Sequence, residues 1–313
     1  MRFALMIEPQ QGLTYAEQLA VAQAAEAAGF EALFRSDHYE SFPGPADNPT
    51  TDAWTVLAGL ARETSRIRLG TLVSPVTFRL PGNLAKVVAT VDEMSGGRIE
   101  LGLGAGWHEA EHRRHGLPFP PMEERADMLE EQLQIVRGLW AEPDGWSFAG
   151  RHYTIDDAHF RRKPAPRPRI LTGGGGTPRG MRIAARWADE FNLSSASPEL
   201  AKTKFAALDE TCRAAGRDPR TLTRSAMAGV LVGADAAELR KREKELLTAL
   251  GGDAGDDWLD ERRQRWIYGT PDDARATVAR FAEAGVERII LQDFVPRDLE
   301  MIALLGRELV ARG

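Results

Sequence analysis

The chain has 313 residues, 43% of them apolar and 27% charged, with a net charge of -6. That is enough for a sizeable core, and its acidity argues against a general nucleic-acid binder, which is usually basic. A single cysteine, Cys212, excludes an intrachain disulfide and a cysteine-rich metal site and fits a reducing, cytoplasmic setting.

No apolar run approaches the ~18 residues of a membrane span. The opening Met1-Arg-Phe-Ala-Leu-Met-Ile7 is too short for a signal-peptide core and reads as the first strand. Tyr15 to Ala28 is an Ala-rich helix with Thr14 as N-cap, closed by Gly29. Ala32 to Phe34 is a short strand ending in Arg35-Ser-Asp-His38. Helix Asp52–Thr64, strand Ile67–Val73, helix Asn83–Met94 and strand Ile99–Leu103 follow. A charge-rich, helix-like segment from His108 to His115 precedes the long amphipathic helix Met122–Trp140. Trp146 to Ile155 then suggests a hairpin, and Lys163-Pro-Ala-Pro-Arg-Pro168 a connector.

The alternation resumes with strand Arg169–Thr172, a helix to Trp187, strand Glu190–Leu193 and helix Pro198–Ala215. Strand Ala226–Val232 and a helical stretch from Ala234 to Leu250 lead into the polar run Gly251–Asp257. Thr270-Pro-Asp-Asp273 supplies an N-cap, an N1 proline and an N3 acid for a helix reaching Ala284. Strand Val286–Gln292 and helix Asp298–Ala311 close the chain. Strands that alternate with helices in this way predict an α/β protein, a (β/α)8 TIM barrel, with a doubly wound sheet as the alternative. We expect one domain over 1–313, with a hairpin insertion near 144–168 and a polar insertion near 251–268.

In such a barrel the loops after the strands build the active site. These positions hold Glu8, Asp37 and His38, Ser74 to Arg79, Gly104 to Glu109, Gly173 to Thr177, Ser194, Ser195 and Asp293. In Arg98-Ile-Glu-Leu-Gly-Leu-Gly-Ala-Gly-Trp107, three glycines remove side chains where a flat ligand or another backbone must come close. Thr172-Gly-Gly-Gly-Gly-Thr177 leaves backbone N–H groups free to wrap an anion at a helix start, with Arg179 or Arg182 as a nearby charge. No Lys-Ser/Thr follows it, so it is not a Walker loop. His108-Glu-Ala-Glu-His112 formally matches a zinc-protease pattern, but it is charged on every side and broken by Gly116-Leu-Pro118. No metal is expected there. Asp37 and His38 should face the barrel mouth, where His38 is suited to proton transfer. Trp54, Phe78 and Trp107 are candidate pocket walls.

Five motifs in this order carry a resemblance over nearly the whole chain: Arg35-Ser-Asp-His38, Leu69 to Arg79, Arg98 to Trp107, Thr172 to Gly176, and Tyr268-Gly-Thr-Pro271. The chain resembles the luciferase-like monooxygenase superfamily, and within it the coenzyme F420-dependent oxidoreductases. The resemblance implies a luciferase-like barrel with insertions, often homodimeric. It places Asp37 and His38 beside the reactive face of a deazaflavin, and Leu72–Val73 at a bulge whose cis peptide backs the ring. Ala105 and Gly106 would contact the cofactor; Gly174, Gly175, Gly176 and Thr177 would hold its phosphate. Some sugar-phosphate and alcohol dehydrogenases of the family carry a glutamate where this chain has Trp107, which leaves three alternatives for the proton-transfer partner of His38: Glu109, His108, or none.

The expected activity is hydride transfer between coenzyme F420 and a small organic substrate. His38, Asp37 and Glu109 would be catalytic, and Trp54, Phe78, Trp107 and His108 would line the substrate pocket. An FMN-dependent two-component monooxygenase is the alternative, and a metal-dependent hydrolase using His108, His112 and His115 a third reading. A separate reductase would supply reduced cofactor.

Overall fold

The computed structural model describes residues 1–251 and 255–312. The first strands, in chain order, are β1 (Arg2–Ile7), β2 (Ala32–Arg35), β3 (Arg68–Pro75), β4 (Ile99–Gly104), β5 (Trp146–Ala149) and β6 (Thr154–Ala158). They are followed by β7 (Arg169–Gly174), β8 (Glu190–Leu193), β9 (Thr223–Val232), β10 (Ile267–Gly269) and β11 (Arg288–Asp293). Helices α1 (Tyr15–Ala27), α2 (Ala53–Glu63), α3 (Pro81–Ser95), α4 (Glu109–Arg114), α5 (Met122–Ala141) and α6 (Pro178–Trp187) alternate with them. The remainder are α7 (Pro198–Ala214), α8 (Ala236–Leu250), α9 (Asp256–Arg263), α10 (Pro271–Glu283) and α11 (Leu299–Glu308).

Strands run β11-β1-β2-β3-β4-β7-β8-β9, all parallel, and β9 pairs back onto β11, so the sheet closes into an eight-stranded barrel rather than an open doubly wound sheet. β10 is an extra strand lying beside the end of β9, Ile267 opposite Val230. β5 and β6 form a separate antiparallel pair outside the barrel. Within the polar segment near 251–268, α9 and β10 occupy the later part; residues 252–254 of that segment lie outside the described residues. Among the described residues no helix is long and apolar enough to cross a membrane.

Local chemistry sets the helix starts. Thr14 and Thr270 each make a capping box, with Glu17 and Asp273 as reciprocal partners. Prolines open α6, α7 and α10, where a missing N–H costs nothing. The outer faces of the strands pack against the helices in one large apolar layer. The barrel interior is a smaller cluster of Ala4, Met6, Ala32, Phe34, Leu72, Leu171 and Ile290.

Below that cluster, at the N-terminal end, the barrel is plugged by charge. Arg288, fully buried, lies 2.8 Å from Glu100 and 3.2 Å from Glu190, while Arg68 and Arg169 reach the same carboxylates from the rim. Burial alone would raise Glu100; the Arg288 guanidinium outweighs it and holds the carboxyl below its ordinary value. With that end filled, access is left to the C-terminal end, where the loops lie.

Candidate active site

β3 shapes the centre of the mouth. Its register shifts between Thr71 and Ser74, and the Leu72–Val73 peptide is cis. Val73 is half-buried above the interior cluster. A Cβ on Gly104 would come within 2.4 Å of the Val73 side chain, and one on Gly102 within 2.1 Å of the Thr71 carbonyl oxygen. Two of the three motif glycines therefore make room for β3 itself, not for a ligand. Ala105 and Gly106 follow at the partly open end of β4, Gly106 lying against Pro75 and Thr77.

Ser36, Asp37 and His38 follow the last residue of β2 and open its loop. Asp37 is 1% exposed. It accepts hydrogen bonds from Ser74 Oγ at 2.6 Å and from Arg79 Nη1 at 2.6 Å. The Trp54 indole N–H donates to the same Ser74 hydroxyl at 3.0 Å. Two expectations are corrected here. Asp37 does not face the mouth beside His38, because its oxygens are committed to Arg79 and Ser74. Trp54 is a core residue, 2% exposed, and does not wall a pocket. Burial alone would lower the Arg79 guanidinium; Asp37 first, then Tyr39 and Asp52, outweigh it and raise it. Phe78 lies next to this knot, stacked on Tyr39 with ring centroids 4.7 Å apart.

His38 does reach the mouth. Its Nδ1 lies 2.8 Å from Glu111 Oε1, and Glu111 Oε2 accepts the Tyr39 N–H at 3.0 Å. The ring stands nearly perpendicular to Phe42, at 4.5 Å, and to Trp107, at 5.8 Å between centroids. Phe42 in turn stacks on His108 at 4.2 Å. Trp107 is 62% exposed, so this aromatic cluster opens to solvent. Burial holds the His108 imidazole below its ordinary value.

The acid at His38 is thus Glu111 and not Glu109, which is exposed on α4. α4 has two buried side chains, Glu111 and His112, and they serve different neighbours. His112 Nδ1 is 2.7 Å from the His108 carbonyl and Nε2 is 2.6 Å from Thr77 Oγ1. The His108–His112 pattern therefore clamps the loops after β2 and β3 together. Among the described residues no group of three His, Cys, Asp or Glu side chains is arranged to hold a metal.

The glycine loop follows β7. At Gly174 and Gly175 an added Cβ would meet nothing within 4 Å, leaving open space over the backbone. Gly176 has φ +70 and packs on the stem of Lys204, whose ammonium donates to the Gly176 carbonyl at 3.0 Å. Lys204 was not legible as a loop residue in the sequence, since it comes from α7. Thr177 caps α6 by accepting the Gly180 N–H at 3.2 Å. Arg179 is paired with Asp127.

The β9–β11 side of the mouth carries a second aromatic wall, also missed in the sequence. Trp266 and Phe294 stack at 5.3 Å with rings 6° apart. Trp266 sits over Gly229, where a Cβ would lie 2.2 Å from the indole. Near the end of β1, Glu8 accepts from Gln292 at 2.6 Å and Gln10 at 2.9 Å. A cavity of about 650 Å3 beyond this wall, between α8 and the segment after β11, shares Phe294 but contains none of the sequence-predicted site residues.

An imidazole backed by a carboxylate, an aromatic shelf and an open glycine loop share one end of a parallel barrel. That is the layout of an α/β-barrel enzyme with its site at the strand C-termini. The chain belongs to the luciferase-like monooxygenase family, whose model matches residues 1–288, and it is an oxidoreductase. It is 30% identical over 308 residues, 92% of this chain and 90% of the relative, to an F420-dependent glucose-6-phosphate dehydrogenase of Microbacterium testaceum (strain StLB037). It is 28% identical to the pyrimidine monooxygenase RutA of Stutzerimonas stutzeri (strain A1501), covering 81% of this chain and 71% of that one. In fold it is similar to an F420-dependent secondary alcohol dehydrogenase solved with an F420-acetone adduct, with a TM-score of 0.84 and 22% identity, covering 99% and 98% of the two chains.

Proposed function

We propose that this chain is a coenzyme F420-dependent oxidoreductase that exchanges a hydride with a small, uncharged organic alcohol or carbonyl compound. The observation that carries the reading is His38, held by Glu111 at 2.8 Å beside an aromatic shelf open to solvent. Alcohol–carbonyl interconversion needs a group that takes or returns the hydroxyl proton, and an imidazole in that place is suited to it.

The residues present fit a flat ring carrying a phosphate-bearing tail. Space is open over Gly174 and Gly175, and Lys204 adds a positive charge under the loop. In this reading Gly174, Gly175, Gly176 and Thr177 hold the phosphate through backbone N–H groups and a hydroxyl. Leu72, Val73, Ala105 and Gly106 back and flank the ring. When bound, the deazaflavin supplies hydride exchange at its ring C5. His38 holds or moves the substrate proton. Phe42, Phe78, Trp107 and His108 shape the substrate pocket. Asp37 acts at one remove, by anchoring the segment that presents His38.

The test is turnover. Purified protein is mixed with oxidised coenzyme F420 and a panel of primary and secondary alcohols, and bleaching of the deazaflavin absorbance is followed. The reading predicts bleaching with apolar alcohols and a loss of about 100-fold or more in kcat for His38→Ala. Oxygen uptake with reduced FMN, and no bleaching with any alcohol, would instead mark a flavin monooxygenase.

A further inference from the structure

We propose that Glu111 is a positioning residue that fixes the His38 ring as its Nδ1–H tautomer and so aims the Nε2 lone pair into the barrel mouth. The catalytic consequence rests on the reading above; the tautomer does not. Glu111 is fully buried, and both its oxygens are committed. The Tyr39 N–H can only donate, so Oε2 is an acceptor, which leaves Oε1 facing His38 Nδ1 at 2.8 Å. A carboxylate offers acceptors alone, so the hydrogen in that contact belongs to the ring nitrogen.

The carboxylate is itself held in place. α4, which carries it, is fastened to the loop after β3 through His112 and Thr77 at 2.6 Å. The backbone carbonyl of His112 also accepts the Leu117 N–H at 2.8 Å, closing the helix end. On its other sides the His38 ring stands nearly perpendicular to the rings of Phe42 and Trp107. With Nδ1 engaged, Nε2 is the nitrogen left for a substrate hydroxyl. The arrangement fixes orientation and tautomer through a neighbouring acid, as a carboxylate does for a catalytic imidazole in unrelated enzymes.

The geometry makes a sharp statement about Glu111→Gln. Glutamine accepts only at its amide oxygen, and the Tyr39 N–H claims that oxygen. The amide NH2 is then turned to His38 Nδ1, where it donates. The ring is forced into the Nε2–H tautomer, and the lone pair moves from the mouth to the protein side.

The experiment is long-range 1H–15N NMR of histidine-labelled full-length protein without ligand, at a pH where the rings are neutral, with His38 assigned by His38→Gln. We expect Nδ1–H in the wild type and Nε2–H in Glu111→Gln. With an active alcohol in hand, Glu111→Gln should lower kcat by about 100-fold, the scale of a lost acid–base group, with KM and F420 affinity within about 2-fold. An Nε2–H ring in the wild type overturns the proposal, and so does an unchanged tautomer in a folded Glu111→Gln. Should the variant fail to fold, the wild-type spectrum decides alone. The expected tautomers together with no turnover of any alcohol would sink the dehydrogenase reading and leave the positioning role standing.

Discussion

Arg79 Nη1 donates to Asp37 Oδ2 at 2.6 Å while Nη2 of the same guanidinium reaches Asp52 Oδ2 at 2.5 Å. One side chain thereby ties the loop after β3 to the end of β2 and the start of α2. Removing it as Arg79→Met strands the Asp37 carboxylate, whose side chain is 0% exposed, with Ser74 as its remaining partner. Breaking a buried pair from one side costs about 3–5 kcal/mol. Urea unfolding should show a loss of that size, and the His38 segment should lose its order with it. A loss under about 1 kcal/mol would mean the pair behaves as an exposed one.

Asp293 predicts a pH dependence of stability. The residue is 0% exposed, and Oδ1 accepts the Val295 N–H at 2.8 Å, while Oδ2 has no partner. Burial, with Asp298 adding to it, raises its pKa from 3.8 to about 7 in the folded chain. A raised acid favours the folded state when protonated. Its stabilisation is therefore full below about pH 4 and is lost as pH rises through about 7. At ~1.4 kcal/mol per pH unit the loss is on the order of 4 kcal/mol. Asp293→Asn should flatten that slope and unfold at a higher temperature than wild type at pH 8. Parallel pH profiles for the two proteins would contradict the assignment.

Gly175 separates a ligand-facing loop from a plain turn. A methyl there meets nothing within 4 Å, and its backbone lies outside the left-handed region. Gly175→Ala should leave stability within about 0.5 kcal/mol of wild type. If the loop cradles a phosphate at close range, the same methyl should weaken F420 binding by about 10-fold or more, or ~1.4 kcal/mol. Equal affinity for the two proteins would place the phosphate elsewhere.

The barrel was legible because its signals are local and repeated. Strands such as Ile99–Gly104 carry apolar positions in alternation, and Thr14 and Thr270 announce the helices they cap. What escaped depends on contacts between distant segments. β10 has three residues and exists by pairing with β9, and α9 lies in a strongly polar stretch. Within α4, carboxylates stand at both 109 and 111, and only packing against the β2 loop decides that Glu111 turns inward. The burial of Asp37 escaped for the same reason: it lies in the loop after β2 and is held by Ser74 and Arg79, some forty residues away in the chain. The glycines at 102 and 104 were read correctly as marking a close approach, which proved to be that of β3.

The central claim is tested most directly by titrating the purified protein, separately, with oxidised coenzyme F420 and with FMN, following ligand fluorescence, and repeating both with Gly175→Ala. The account predicts saturable binding of the deazaflavin, weaker binding of FMN, and loss of deazaflavin affinity in the variant. Binding of FMN alone, or of neither ligand, would contradict it.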